Sequence, residues 1–130
     1  MYSAVTNGIK ILVEPQYDEE RSNPLGGQYF WLYTIEIRNE SKTTVELKSR
    51  YWRITDGQGK IQEVRGKGVV GEQPVIHPGQ AFRYTSGVPL TTPSGFMEGS
   101  YQMVSEGGAK LEVTVPTFSL DSPHGRRSVN

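Results

Sequence analysis

A glycine-rich segment in the middle of the chain carries the pattern with the most evident binding chemistry. Gly66, Gly68 and Gly71 satisfy Gly-x-Gly-x-x-Gly. In dinucleotide-binding folds this pattern holds a pyrophosphate, and the helix that follows points its N-terminal amides at the phosphates. Here Pro74 and Pro78 prevent a helix of useful length after the glycines. The sequence therefore excludes a Rossmann-type site.

A simpler anion site on the same segment stays open. Successive backbone amides in a glycine-rich turn can form a concave anion site without a helix, and neighbouring basic side chains add positive charge. We predict a ligand site for an anion formed by Arg65, Gly66, Lys67, Gly68 and Gly71. The alternative is a loop that only connects two strands, whose glycines adopt positive φ angles.

Basic side chains are concentrated in residues 48–67, which carry six Lys or Arg against two Asp or Glu, a balance of +4. Residues 1–40 have the opposite bias, three basic against six acidic, a balance of −3. We predict an interaction patch for phosphates or an acidic partner, formed by Lys48, Arg50, Tyr51 and Arg53. The alternative is a solvated sheet face. The whole chain has 14 basic and 14 acidic residues, which does not favour nucleic-acid binding.

The residue types used in catalysis and metal binding are scarce. The chain has no cysteine, so thiolate catalysis and sulfur-ligated metal sites are excluded. His77, in a Pro-Gly turn, and His124 have no evident nucleophile or carboxylate partner at a catalytic spacing. The run Asp18-Glu19-Glu20 could hold a hard cation weakly, although such runs usually serve solubility. We expect no catalytic residue, no metal, no cofactor, and a protein that is not an enzyme.

The sequence also lacks the features of a membrane or secreted protein. No stretch reaches the roughly 18 apolar residues that a membrane span needs. Residues 1–7 lack the basic and apolar regions of a signal peptide. We expect a cytoplasmic protein that does not itself carry ions across a bilayer.

Apolar and polar residues alternate with a period of two, and no window has the periodicity of a helix. The clearest strand starts at Tyr29 and places on one face Tyr29, Trp31, Tyr33, Ile35 and Ile37. Weaker strand signals begin near Ile9, Thr44, Lys60, Val75, Ala81, Phe96 and Leu111. We predict an all-β fold, an antiparallel β-sandwich of the immunoglobulin-like or fibronectin type III-like kind with seven to eight short strands. A small barrel is the alternative.

The third run changes parity midway, which predicts an irregularity. Val45 and Leu47 occupy odd positions, whereas Trp52 and Ile54 occupy even ones. Because side-chain direction alternates strictly along a strand, one extra residue must be inserted. We predict that this residue forms a β-bulge near Ser49-Arg50.

Core, edge and domain limits follow from the same pattern. Without disulfides the core must rely on aromatic residues such as Trp31, Tyr33 and Trp52. Pro89 and Pro93 predict a segment at a sheet edge or between the sheets, since proline cannot donate to a ladder. We see no internal repeat or linker, and we assign a single domain to residues 1–123 and a polar, flexible tail to residues 124–130.

Several motifs, in order, resemble the bacterial ApaG family. They span nearly the whole chain, including its start from Tyr2 to Pro15, and comprise Arg50–Asp56, Glu63–Pro74, Tyr84–Gly87, Gly99–Met103 and Val115–Phe118. The resemblance implies a single β-sandwich of the fibronectin type III or immunoglobulin-like kind. It implies no assigned enzymatic activity, and a genetic link to cobalt and magnesium efflux or resistance. Similar domains occur in eukaryotic F-box proteins and in a polymerase-delta-interacting protein, where protein–protein interaction is the expected role.

The resemblance also bears on individual residues. It carries the proposed pyrophosphate role onto Gly66, Gly68 and Gly71. Tyr51 stands where many relatives have histidine, and Val88 where some have cysteine, which argues against metal ligands at these positions. Our first hypothesis is a non-enzymatic module that binds an unidentified protein partner. The alternatives are a site for a phosphate-bearing nucleotide and, third, a hydrolase of nucleotide polyphosphates. Exposed sheet edges make a homodimer possible.

Overall fold

The computed structural model describes residues 1–124 of the 130-residue chain. These residues form nine β-strands: β1 Tyr2–Thr6, β2 Ile9–Tyr17, β3 Tyr29–Asn39, β4 Val45–Asp56, β5 Ile61–Lys67, β6 Val75–Ile76, β7 Ala81–Leu90, β8 Ser94–Ser105 and β9 Lys110–Asp121. A single turn of 3-10 helix, Pro24–Gly26, lies between β2 and β3. Of the tail predicted for residues 124–130, residues 125–130 fall outside the described residues.

The strands form two antiparallel sheets that pack face to face, which confirms the predicted sandwich. One sheet has the order β1-β2-β3-β7, and the other has the order β5-β4-β8-β9, with β6 also paired to β4. β6 and β5 follow one another along the same edge of β4, because β6 pairs with its first residues and β5 with its second half. The loop between β5 and β6 therefore lies beside the middle of β4.

The predicted number of strands was too low, because β1 was not recognised. β1 has weak apolar alternation, but it pairs with β2 across Asn7 and Gly8, with Thr6 opposite Ile9. Both turn residues have positive φ, 48° and 79°, as the type I′ hairpin turn requires. An Asn-Gly pair is the strongest short-range hairpin signal, so the sequence did contain the information.

β2 continues past Pro15 to Tyr17, although proline cannot donate to the ladder. Pro15 pairs with Tyr33 of β3 on one side, but on the other side the pairing with β1 extends only as far as Val13. Pro15 thus lies where β2 is locally an edge strand, the position at which a missing N–H is tolerated.

The predicted bulge in β4 is confirmed. The pairing of β4 with β8 shifts register between Leu47 and Ser49. Leu47 and Trp52 are both buried on the inner face, although one is odd and the other even. The shift fixes the direction of every later side chain in β4, including Arg50.

Aromatic rings fill the centre of the sandwich. Trp52 lies 5.6 Å from Tyr33, 6.1 Å from Tyr101 and 6.3 Å from Phe118, measured between ring centroids. Trp31, Tyr33 and Trp52 are all buried, as predicted for a core without disulfides. Such tilted and edge-on pairs stabilise a core by about 0.5–1.5 kcal/mol each beyond area burial.

The two long sides of the sandwich differ. On one side β9 packs against β1 and β2, and the side chains of β1 bond to its backbone. The Ser119 N–H donates to the Tyr2 hydroxyl at 3.3 Å, and the Thr114 N–H donates to Thr6 Oγ1 at 3.2 Å. No comparable approach joins β5 to β7 within residues 1–124. We call the side between the outer edges of β5 and β7 the open side; Pro89 lies there on edge strand β7, as predicted.

Candidate functional site

The glycine-rich segment is a tight hairpin turn between β5 and β6. Val69 and Glu72 form a bridge in which each N–H donates to the carbonyl of the other at 2.8 Å. Val70 and Gly71, between them, have φ angles of 43° and 81°. The turn therefore matches the Asn7-Gly8 turn in backbone conformation, with valine in place of asparagine.

Each of the three motif glycines has a local structural reason. A Cβ on Gly66 would lie 2.7 Å from Cζ of Arg50, so this glycine makes room for a guanidinium. A Cβ on Gly68 would lie 2.2 Å from the carbonyl oxygen of Glu72, and Gly68 also has a φ of 64°. Gly71 meets nothing within 4 Å, and only its φ of 81° favours glycine.

The backbone amides of this turn are partly occupied. The Gly68 N–H donates to the carbonyl of Lys48 at 2.9 Å, and the Val69 N–H donates to that of Glu72. Within residues 1–124 the amides of Val70 and Gly71 donate no such bond. The anion site predicted for this loop stays a prediction, and the free amides restrict it to the tip of the turn.

Arg50 lies on the inner face of β4. It pairs with Tyr101, which is fully buried, and with Gly66 of β5. Its Nη1 donates to the carbonyls of Lys67 at 3.2 Å and Gly68 at 2.9 Å. The guanidinium therefore crosses the bare backbone of Gly66 and holds the start of the glycine-rich turn.

The structure does not bring the four residues of the predicted interaction patch onto one face. Tyr51 and Arg53 lie on the outer face of β4, opposite in direction to Arg50, because side chains alternate along a strand. The Tyr51 hydroxyl donates to Glu63 at 2.5 Å, and the Arg65 guanidinium lies 4.6 Å from the centre of the Tyr51 ring. The hydrogen bond to Glu63 raises the pKa of the Tyr51 hydroxyl.

Lys48, the fourth residue of the predicted interaction patch, lies at the β-bulge of β4. Its ammonium pairs with Glu46 at 3.0 Å. Its carbonyl accepts the Gly68 amide and Nε2 of Gln73 at 2.9 Å. The sequence could have shown that Arg50 points inward while Tyr51 and Arg53 point outward, since Arg50 occupies an even position like the buried Trp52.

A cavity of about 300 Å³ opens between the sheets on the open side, beneath the glycine-rich turn. We call it the arginine cavity. The polar residues that line it come from both sheets: Tyr33, Arg50, Lys67, Tyr84 and Ser86. Sequence reasoning missed this site, because the tyrosines on β3 and β7 were counted only as core residues or strand signals.

The tyrosine hydroxyls of this region are kept protonated. The hydroxyls of Tyr84 and Tyr101 form a buried hydrogen bond of 2.5 Å. Burial raises the pKa of both far above that of a free tyrosine. Burial also raises the pKa of Tyr33, against the opposing effects of the Ser86 hydroxyl and the Arg50 charge. At neutral pH these groups are hydroxyls that can donate or accept hydrogen bonds.

A larger cavity, which we call the edge groove, lies at the other end of the open side. It has a volume of about 680 Å³ and runs between the start of β5 and the end of β7. Ile61, Leu90 and Phe30 contribute apolar walls, and Arg21 and Lys60 are the cations at its rim. Ile61 is 48% exposed, which is unusual for a large apolar side chain on an edge strand.

Comparison with known proteins identifies the family. A family model described as the ApaG domain matches residues 19–105. The chain is 59% identical over 130 residues to protein ApaG of Rhodopseudomonas palustris strain TIE-1, and 60% identical over 130 residues to that of Afipia carboxidovorans, covering the full length of each. This chain belongs to the ApaG family.

Solved structures agree with that assignment. A crystal structure named for ApaA of Bordetella pertussis superimposes with a TM-score of 0.86 at 46% sequence identity. The match covers 88% of this chain and 94% of the Bordetella chain. The ApaG resemblance found in the sequence, and the sandwich that it implied, are thus confirmed.

The two positions at which this chain departs from the ApaG pattern lie apart. Tyr51 is on the outer face of β4, whereas Val88 is buried on β7, opposite Trp31 of β3. They belong to different sheets, and the Tyr51 side chain points outward whereas that of Val88 points into the core. Within residues 1–124 no group of three or more His, Asp or Glu side chains is placed to hold a metal ion.

The remaining candidates from the sequence have structural contacts of their own. The Asp18 carboxylate bonds to Arg21, which lowers its pKa. His77 contacts the Thr44 hydroxyl at 3.1 Å in an exposed turn. The ring of His124, assigned to the tail, packs 6.0 Å from that of Tyr17. In the part of the chain that the structure describes, helices long and apolar enough for a membrane span are absent.

Proposed function

We propose that this ApaG-family chain is a non-enzymatic binding module that holds an extended segment of a partner protein on its open side. The observation that carries the proposal is the pair of free strand edges, on β5 and β7, that flank the edge groove. An unpaired strand edge can accept the backbone of another chain as an added strand. The neighbouring groove would then select the side chains of that segment.

The chemistry of the groove indicates what such a segment contains. Ile61 and Leu90 offer apolar contact, whereas Arg21 and Lys60 offer positive charge at the rim. The Asp56 carboxylate already accepts the amides of Gln58 at 2.9 Å and Lys60 at 3.0 Å. We therefore infer a partner segment in which apolar residues alternate with acidic ones.

Action by binding, without catalysis, fits the placement of the titratable groups. Neither histidine lines the edge groove or the arginine cavity. The link to cobalt and magnesium homeostasis, which the family resemblance implies, would then act through the partner protein. The nucleotide alternative, the possible homodimer and the cytoplasmic location stay predictions.

Site-specific photocrosslinking in living cells tests this proposal. A photoreactive amino acid at Ile61 should give a discrete crosslinked partner, whereas one at Thr85, on the outer face of β7, should not. A peptide copied from the crosslinked segment should bind the purified protein and shift amide resonances along β5. Ile61→Lys should abolish that binding, and Thr85→Lys should leave it unchanged.

Two results would contradict the proposal. Identical crosslinking from Ile61 and Thr85 would show that the open side is not selective. A crosslink from Ile61 to a second copy of this chain, with a dimer in analytical ultracentrifugation, would make the edge groove a homodimer interface instead.

A further inference from the structure

The guanidinium of Arg50 is a charge on the inner face of the sandwich without an acidic partner among residues 1–124. The ion pairs within those residues join Arg21 to Asp18, Arg38 to Glu36 and Lys48 to Glu46. Arg50 instead uses one nitrogen, Nη1, to bond two carbonyls. Carbonyls orient a guanidinium but do not neutralise it, and a partly buried charge without a counterion is costly.

The other polar side chains of the arginine cavity are hydroxyls. Tyr33, Tyr84 and Ser86 present hydroxyls, and Lys67 contributes the backbone carbonyl that accepts from Arg50. No acidic side chain lines the cavity. A site with a guanidinium, several hydroxyls and no carboxylate is complementary to an oxyanion with several acceptor oxygens, such as phosphate.

We propose that the arginine cavity binds a phosphate-type dianion, with Arg50 as the principal ligand and the hydroxyls of Tyr33 and Ser86 completing the shell. The ligand would sit between the two sheets on side chains, and not on the amides of the glycine-rich turn. The inference goes beyond the proposed function, because it requires no partner protein.

The size of the cavity limits what the anion can be attached to. At about 300 Å³ it lies at the lower end of the range for ligand sites, roughly 300–1,000 Å³. Inorganic phosphate or a small phosphate monoester fits this volume, whereas a dinucleotide polyphosphate does not. The shared chemistry is a phosphate group with one or no organic substituent.

Amide NMR titrations at constant ionic strength test the proposal and separate the two sources. The ligands are inorganic phosphate, phenyl phosphate as a monoester and acetate as a monoanion. We expect saturable shifts from phosphate at the amides of Arg50, Tyr84 and Ser86, and much weaker shifts from acetate. Saturation by phenyl phosphate as well would identify a monoester site, and saturation by phosphate alone a site for the free ion.

Matched variants show whether the binding uses Arg50. Arg50→Gln should weaken phosphate binding at least about tenfold, since it removes a charge-assisted hydrogen bond. Arg53→Gln removes the same charge from the outer face of the same strand and should leave the affinity unchanged. Because Arg50 also holds the glycine-rich turn, Ser86→Ala provides a second variant that spares the turn and should weaken binding several-fold.

Three outcomes would overturn the inference. The first is the absence of saturable shifts with millimolar phosphate in the folded wild-type protein. The second is equal weakening by Arg50→Gln and Arg53→Gln, which would indicate general electrostatic attraction. The third is equal affinity for acetate and phosphate, which would exclude a dianion site.

Discussion

The turn at Val70 and Gly71 holds a β-branched residue at a φ of 43°, where such residues are rare. The same chain contains a second turn with matching φ angles at Asn7 and Gly8, and there the sequence is the preferred Asn-Gly. Replacing Val70 by asparagine should therefore stabilise the protein. The reciprocal change, Asn7→Val, should destabilise it.

Two opposing contributions to the free energy of unfolding set the size of the Val70→Asn effect. The left-handed conformation costs an L-residue roughly 1–2 kcal/mol, and asparagine largely escapes this cost because its short polar side chain bonds locally. Val70 is 52% exposed, so loss of its buried half would cost roughly 0.7 kcal/mol, half of the value for a fully buried valine. We expect Val70→Asn to raise the free energy of unfolding by about 0.5–1 kcal/mol, and Asn7→Val, at an exposed site, to lower it by about 1–1.5 kcal/mol.

Urea denaturation followed by tryptophan fluorescence measures both changes. The variants should share the wild-type dependence of free energy on urea, so that a shift in midpoint reports stability alone. The double variant should show the sum of the two effects, because the turns lie at opposite sides of the sandwich. Unchanged urea midpoints in both single variants would contradict this prediction, because the left-handed conformation would then carry no cost at either turn.

Three further predictions concern the glycine-rich turn and the core. Gly68→Ala should lower the free energy of unfolding by about 3 kcal/mol or more, because the new Cβ meets a carbonyl oxygen at 2.2 Å and alanine is disfavoured at a positive φ. Gly71→Ala should lower it by only about 1–2 kcal/mol, because only the positive φ opposes alanine there. Equal losses in urea denaturation would contradict this difference. Because the pKa values of Tyr84 and Tyr101 are raised in the folded protein, these two tyrosines ionise first in the unfolded chain as the pH rises. The stability that their hydroxyls contribute is therefore intact below about pH 10. Above that pH it is lost by up to about 1.4 kcal/mol per pH unit for each tyrosine. A Tyr84→Phe, Tyr101→Phe double variant should have a shallower alkaline decline, and an unchanged slope would count against the raised values. Asn39→Ala should lower the free energy of unfolding by about 3 kcal/mol. Asn39 is 1% exposed, and its side chain bonds the carbonyls of Thr43 and Ile76 and the amide of Ser41, of which the Ile76 carbonyl would stay buried without a partner. A loss below about 1 kcal/mol in thermal unfolding would show that water replaces the Asn39 amide.

The fold was predictable because its signals are local. Alternation with a period of two identifies the long strands, and the parity change between Leu47 and Trp52 locates the bulge without any knowledge of the partner strand. β1 was overlooked for a different reason. Its side chains carry little alternation, and the Asn7-Gly8 turn that pairs it with β2 has to be taken as the primary signal.

The candidate site was less predictable, because it depends on pairing register between distant strands. The parity of β4 indicates that Arg50 points inward, but its neighbours Tyr33 and Tyr84 come from the opposite sheet. Gly66 is needed because it lies opposite Arg50 in the ladder, which the motif alone does not reveal. A pattern of glycines that resembles a phosphate loop therefore has a second explanation, which is room for an arginine.

The bonds from β1 to β9 have a consequence for the order in which the molecule is made. Thr6 and Tyr2 bond to residues 108 and 117 positions later in the chain. A ribosome delivers the first strands early, but the strand that seals their side of the sandwich emerges more than 100 residues later. A chain that stops before β9 would keep an unsealed edge next to an exposed apolar face, the combination that proteases and aggregation exploit. Loss of β9 would therefore expose this side of the sandwich to proteolysis and aggregation.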